Sequence, residues 1–216
     1  MLGVFRVLLS VACLFFLYMA LKGILNPFGE SRFDSYVVMM LIFATICAGI
    51  PLRHAMFEWK LAAAAEKLIA RDNIAVTCLS RFGGLWHWNA AGYVYRGSQE
   101  INLQGYVCED LRDYLWDPGK ANAQAINDTK LVFALHVMTH ETMHVDDIYD
   151  EIRADCRAFQ LNHKMAELLG VETRLAAQSA IVAHRFRSKR HPYYSPHCEP
   201  GGALDEKIPA AVWMAG

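Results

Sequence analysis

Two long uncharged runs near the amino terminus constrain the fold of this chain more than any other feature. The first covers residues 7–21, between Arg6 and Lys22, and has Ser10 as its one strongly polar residue. With its flanks it reaches the roughly 20 residues that a helix needs to cross a bilayer. The second run, residues 36–52, carries no charge and is close to the length of a membrane-spanning helix. The pair predicts a transmembrane helical hairpin.

Two other interpretations of these runs are open. A cleaved signal peptide would explain the first run, although no clear small-x-small cleavage site follows it. A helix buried in a soluble core would explain the second, although two such runs in tandem favour a hairpin. Residues 26–34, which join the runs, are rich in turn formers. We therefore expect residues 1–55 to have the lipid bilayer as a partner and residues 56–216 to fold as one further domain.

The charges that flank the two runs weakly favour one orientation of the hairpin. The ends of the hairpin carry more positive charges than the loop between the runs. These charges are Arg6, Arg53, Lys60 and Lys67 at the ends, and Lys22 and Arg32 in the loop. Because positive charges accumulate on the cytoplasmic side of a membrane, this count leans towards a cytoplasmic main domain.

The cysteines favour the opposite orientation. Four of them lie outside the apolar runs: Cys78, Cys108, Cys156 and Cys198. Four cysteines can form two disulfides in three connectivities, which would suit an oxidising compartment. Four buried free thiols are the other interpretation. The sequence therefore leaves open both the disulfide state and the side of the membrane that the main domain faces.

Residues 140–144, with the sequence His-Glu-Thr-Met-His, carry the strongest chemical signal in the chain. They close an apolar run, 131–138, that lacks proline and glycine and therefore favours a buried helix. His140 and His144 would then share one helix face, where two imidazoles can hold one Zn²⁺ at about 2.0–2.1 Å each. Glu141 would project beside them, placed to take a proton from a water that the zinc activates.

This H-E-x-x-H arrangement resembles the zincin family of zinc metallopeptidases. Residues 151–158 then resemble the E-x-x-A-D-x-x-A helix of the gluzincin subgroup, although gluzincins usually leave a longer gap between the two motifs. The resemblance implies Glu151 as the third zinc ligand and Asp155 as a second-shell partner, which orients a ligating histidine. With the tail, 193–205, the motifs look like small bacterial membrane-anchored zincin-like proteins, and the resemblance covers residues 74–205.

The resemblance implies an α+β fold, in which the hairpin precedes a small zincin-like domain with a short sheet and an H-E-x-x-H active-site helix. The sequence predicts strands at 74–79, 92–97 and 100–103, and helices at 57–70, 110–115, 150–169 and 172–187. Zincins lay an edge strand beside the metal, where an extended substrate can add to the sheet. Residues 99–103 are the candidate for that strand, and a plain structural hairpin is the alternative.

The function that the resemblance implies is a zinc-dependent peptidase in a bacterial cell membrane, with a peptide or protein substrate. Glu141 would act as base and then as proton donor. Tyr193 is the candidate donor to the developing oxyanion, with His184 and His191 as further candidates. His136, one turn before the motif, is expected to be a core histidine or a neighbour of a ligand. A net charge of −1 gives no reason to expect nucleic acid.

A function from another class is also open: a non-catalytic membrane protein that binds zinc for structure, or an interaction module with a zincin fold. Glu141 discriminates between the two classes. A purely structural zinc site has no use for a carboxylate that is not a ligand, and it fills its fourth position with protein.

Glu151 can be the third ligand only if the chain turns between the two motifs. In an unbroken helix Glu151 would lie about 10 Å beyond His144, at 1.5 Å per residue, which is too far for a shared ion. We therefore expect a turn within residues 145–149, which contain no glycine but two aspartates that tolerate left-handed backbone angles. Asp150 competes for the role, because it has the spacing of the third ligand in metzincin-like proteins, although Asp147 replaces their glycine. Of the two residues we choose Glu151.

Overall fold

The computed structural model describes residues 2–25, 33–79, 90–116, 129–187, 193, 195–209 and 211–212. The described part of the chain has six helices and three strands, which confirms a mixed α+β architecture. In order they are α1 (Leu2–Leu25), α2 (Phe33–Ile69), β1 (Ala75–Cys78), β2 (Gly92–Val94), β3 (Glu100–Leu103), α3 (Gly105–Trp116), α4 (Thr129–Val145), α5 (Glu151–Leu168) and α6 (Thr173–Arg187).

The chain divides into two compact units between Phe57 and Glu58, whereas the sequence prediction divides it after residue 55. The first unit contains α1 and the larger part of α2. Both helices are long and apolar enough to cross a membrane, and most of their large apolar side chains are exposed. Within the unit, the rings of Phe16 and Phe43 lie 5.3 Å apart. By length and composition, therefore, two N-terminal helices could cross a membrane.

Helix α2 joins two segments that the sequence predicts as separate, the apolar run 36–52 and the amphipathic helix 57–70. It continues through Pro51 as a single helix of 37 residues. Proline removes one backbone hydrogen bond, which can kink a helix without ending it. At 1.5 Å per residue the helix is about 55 Å long, well beyond the roughly 30 Å of a hydrocarbon core. The two predicted segments are therefore parts of one helix.

The sheet has the strand order β1-β3-β2, with β1 parallel and β2 antiparallel to the central β3. The prediction that residues 99–103 form the edge strand beside the metal is wrong, because β3 is hydrogen-bonded on both sides. Strand β2 is shorter than the predicted 92–97, since the N–H of Ser98 closes a turn onto the carbonyl of Tyr95. Strand β2 lies at one edge of the described sheet and contacts α4.

The core of the second unit is built around α4, which is buried over nearly its whole length, as its apolar sequence predicts. Helices α3, α5 and α6 pack against it. Two disulfides hold the surrounding segments: Cys78 of β1 is bonded to Cys108 of α3, and Cys156 of α5 to Cys198 of the tail. The alternative of four free thiols in this part of the chain is therefore wrong. The candidate His191 lies outside the described residues.

Candidate metal centre

A tight turn between α4 and α5 brings the two sequence motifs together. The N–H of Ile148 donates to the carbonyl of Met143, and the N–H of Asp147 donates to the carbonyl of His144. This pair of bonds is the Schellman motif, which needs left-handed backbone angles at the residue after the helix cap. Asp147 occupies that position with φ 61°, which confirms the turn that the spacing predicts. Arg71 holds the turn by donating to the Asp147 carboxylate.

Glu151, the first residue of α5, lies against both motif histidines. Its Oε2 is 3.1 Å from Nε2 of His140, and its Oε1 is 3.6 Å from Nε2 of His144. Ligands bound tetrahedrally at about 2.1 Å would be about 3.4 Å apart, so these separations suit a zinc ion. Asp150 instead caps α5 by accepting from the N–H of Arg153. The structure thus brings together three predicted ligands in a group that could hold a metal ion.

The Nε2 lone pair of His144 faces Glu151. Its Nδ1 lies 2.7 Å from the carbonyl oxygen of Ile148, which can only accept, so Nδ1 carries a proton. In the neutral ring Nε2 is then an acceptor, and it faces a carboxylate oxygen, another acceptor. Burial lowers the pKa of His144 and neighbouring His140 lowers it further, which favours the neutral ring. Two facing acceptors are stabilised by a cation between them, so the donor set fits a bound metal.

His140 lies between two carboxylates. Its Nε2 faces Glu151, and its Nδ1, which has no other partner among the described residues, is 3.5 Å from Oδ1 of Asp155. Burial lowers the pKa of His140, but hydrogen bonds with Asp155 and Glu151 outweigh burial and raise it to about 9. The hydrogen bond with His140 in turn holds the pKa of Glu151 below its usual range. A proton and a metal ion would therefore compete for the same Nε2 lone pair.

Glu141 lies next to the three ligands without belonging to their group. Its side chain is buried, and its Oε2 has no hydrogen-bond partner within the described ranges. Burial raises the pKa of Glu141 to about 7, although the charge of His140 acts in the other direction. A Cβ placed on Gly92 would lie 2.8 Å from Cγ of Glu141 and 3.0 Å from its Oε1. The start of β2 thus packs directly against this carboxylate.

A second group that could bind a metal consists of His136, His140 and Asp155. Nε2 of His136 is 2.9 Å from Oδ1 of Asp155, and its Nδ1 is 3.0 Å from Nδ2 of Asn162. The ring of Phe159 stacks on His136 with the centroids 4.2 Å apart. His136 is therefore both a hydrogen-bonded core histidine and a neighbour of Asp155, the residue expected to orient a ligand.

Of the three candidates for the oxyanion donor, the described contacts bring Tyr193 to a ligand. Its ring lies nearly parallel to that of His140, with the centroids 6.5 Å apart. His184 is buried, with Nε2 3.3 Å from the carbonyl oxygen of Cys198 and its ring edge-on to Phe159. His191 lies outside the described residues, so its position adds nothing to the comparison.

Two residues of the site, Gly92 and Asn162, are not among the site residues that the sequence predicts. A glycine at the start of a strand can mark a close approach of another group, but the sequence does not say which group approaches. Asn162 lies seven residues after Asp155, so the two share a face of α5. That spacing is a usable signal, although it gains meaning only once α4 is known to pack on that face.

Comparison with known proteins finds no relative of this chain. No protein-family model matches the chain, and comparison with curated proteins and with solved structures finds no match. The resemblance to zincins therefore depends on the two sequence motifs and on the geometry of the residues that they place together.

Proposed function

We propose that the chain is a membrane-anchored, zinc-dependent peptidase of the gluzincin type. The observation that carries this proposal is the arrangement of His140, His144 and Glu151 around one point, with the buried Glu141 beside them. Two imidazole nitrogens and one carboxylate are a common ligand set for catalytic zinc. A bound zinc ion would supply Lewis acidity, polarising a carbonyl and lowering the pKa of a coordinated water to about 7.

The number of ligands favours catalysis over a structural role. A structural zinc site is closed by four protein ligands, whereas a catalytic site keeps one position open. The described residues supply three ligand side chains here. The Glu151 side chain is 43% exposed, so the centre is accessible from solvent on that side. Glu141 then has a chemical use that a closed site would not provide.

In the proposed reaction Glu141 takes a proton from the attacking water on its unpartnered Oε2. The water oxygen first bonds to the carbonyl carbon; Glu141 then passes the proton to the nitrogen of the departing amine, and the peptide C–N bond breaks. Tyr193, whose ring lies nearly parallel to that of His140, would donate a hydrogen bond to the carbonyl oxygen as negative charge develops. An extended peptide would pair with β2, whose first residue touches Glu141.

The two disulfides support a location for the main domain. Disulfides form and persist in oxidising compartments, whereas the excess of positive charge at the hairpin ends is small. The four cysteines of the second unit pair with each other, and the pairing uses all of them. We therefore propose that the peptidase domain lies on the non-cytoplasmic side of a bacterial cell membrane.

The test uses the full-length chain purified in detergent. Elemental analysis gives the zinc content, and mass spectrometry of a mixed peptide library detects cleavage. We expect about one zinc per chain and cleavage that a chelator abolishes and added zinc restores. Glu141→Gln should abolish cleavage and keep the zinc, because Glu141 is not a ligand. Glu167→Gln, which removes an α5 carboxylate that pairs with Lys164, is the matched control and should keep both.

Two results would contradict the proposal. Absence of bound zinc in the parent would remove the metal centre. Bound zinc without cleavage of any library peptide, with Glu141→Gln indistinguishable from the parent, would favour the non-catalytic zinc-binding protein instead.

A further inference from the structure

A chain of four buried polar side chains leads from the metal centre into the core. Asn162 contacts His136 at 3.0 Å, His136 contacts Asp155 at 2.9 Å, and Asp155 lies 3.5 Å from His140. Asn162 and His136 have no exposed surface, and Asp155 is 3% exposed. Burying polar groups costs free energy unless they are hydrogen-bonded, so such a chain is unlike ordinary core packing.

The direction of the hydrogen bonds follows from the chemistry of the groups. The amide Nδ2 of Asn162 donates to Nδ1 of His136, so the proton of the neutral ring is on Nε2. Nε2 then donates to Oδ1 of Asp155, which as a carboxylate only accepts. With the amide reversed, a neutral His136 would carry its proton on Nδ1 and turn a lone pair towards Asp155. The donor orientation of Asn162 avoids that repulsion.

This direction has a consequence for the ligand His140. A strong bond from His136 holds the Asp155 carboxylate at a fixed place, and the same Oδ1 faces Nδ1 of His140. A histidine that donates its Nδ1–H to a carboxylate presents Nε2 as the ligand atom and is held in one ring orientation. Phe159, stacked on His136, restricts the rotation of that ring.

We propose that Asn162 and His136 are positioning residues of the metal centre, acting through Asp155 on the ring of His140. The same hydrogen bonds prevent His136 from acting as a ligand in the second group of possible metal-binding residues. Because Nε2 of His136 carries a proton and Nδ1 accepts from Asn162, neither nitrogen is free to bind a metal. Of the two groups that share His140, the one with His144 and Glu151 therefore holds the ion. This inference rests on the proposed metal centre and extends it to two residues that do not touch the ion.

The test is a competition titration of the full-length protein with Zn²⁺ against a chromophoric chelator. Outer-shell partners of a ligating histidine typically contribute about 10–100-fold in metal affinity. We expect a loss of that size in Asn162→Leu and in His136→Leu. His136→Gln should restore most of the affinity, because its amide can donate to Asp155 from nearly the same place as Nε2.

Gln160→Leu is the matched control. Gln160 is also a buried amide on α5, but it binds the backbone of the tail at Leu204 and Glu206. Its replacement should lower thermal stability and leave zinc affinity within about twofold, because it does not belong to the chain of contacts. The absorption spectrum of bound Co²⁺ reports ligand geometry separately from folding, and we expect it to change in His136→Leu and not in Gln160→Leu.

The outcomes separate this inference from the proposed function. If the parent binds no zinc, or binds it equally well without Glu151, the metal centre itself is wrong. If the parent binds one zinc through Glu151 but both leucine variants keep its affinity and Co²⁺ spectrum, the positioning role alone is refuted. A parent that binds two ions, one of which is lost in His136→Leu, would also refute it, because His136 would then be a ligand.

Discussion

Replacing Glu151 and Asp150 in separate variants should show that Glu151 determines metal affinity and that Asp150 determines the stability of α5. Structural zinc sites with four ligands bind with apparent free energies of about 10–16 kcal/mol, or about 3 kcal/mol per ligand. Glu151 faces both histidine Nε2 atoms, at 3.1 and 3.6 Å. Glu151→Ala should therefore weaken zinc binding by on the order of 100-fold, since each 1.4 kcal/mol corresponds to a factor of ten.

Asp150→Ala should behave in the opposite way. The Asp150 carboxylate accepts from the N–H of Arg153 at 2.8 Å and so caps the start of α5. Loss of an N-cap typically costs about 1 kcal/mol, which lowers Tm by about 2–4 °C in a chain of this size. Zinc affinity should change little, because the carboxylate is committed to the backbone. Asp150→Asn keeps the cap and should restore the stability as well.

Zinc titration and thermal unfolding of the zinc-free protein measure the two effects independently. Glu151→Gln serves as a control of nearly unchanged size, and it should lose zinc affinity like Glu151→Ala. If Asp150→Ala and Asp150→Asn lose more zinc affinity than Glu151→Ala, the third ligand is Asp150 and the assignment made here is wrong. If no variant changes zinc affinity, the ion binds elsewhere.

Three further predictions concern the packing around the site and the disulfides. Gly92→Ala should lower kcat by about 10–100-fold with zinc content unchanged, because its Cβ would displace the Glu141 side chain by several tenths of an ångström; an unchanged kcat would show that β2 does not position Glu141. When protein is extracted from intact cells and alkylated without reductant, only the two cysteines of the apolar runs should react. Removing the bond between Cys156 and Cys198, which are 42 residues apart, should cost about 4 kcal/mol of stability. Full alkylation without reductant would refute the non-cytoplasmic location.

Local patterns made much of the site predictable. Helical spacing places His140 and His144 on one face, and the second motif places Glu151 and Asp155 one turn apart on the next helix. The helix rise then demands a turn between the motifs, because Glu151 could not otherwise reach the ion. Each of these steps needs only the geometry of a helix, and the structure brings these four residues together.

Features that depend on tertiary packing could not be predicted from the sequence. The order of the strands is one: the three short strands predict a sheet, but not that β3 lies between β1 and β2. Long-range contacts are another, since His136 and Asn162 are 26 residues apart and meet only because α5 folds back on α4. The continuity of α2 through Pro51 is a third, because a proline signal alone does not distinguish a kink from an end.

The short gap between the two motifs departs from the gluzincin pattern, and the turn explains how the site can form in spite of it. The Schellman motif centred on Asp147 reverses the chain within a few residues and carries Glu151 back to the histidines. The same reversal brings the carbonyl of Ile148 to Nδ1 of His144, at 2.7 Å. One turn thus places the third ligand and fixes the tautomer of the second, while Asp155 lies against the first. A longer connection would have to find a separate partner for His144, which the backbone of this turn already provides.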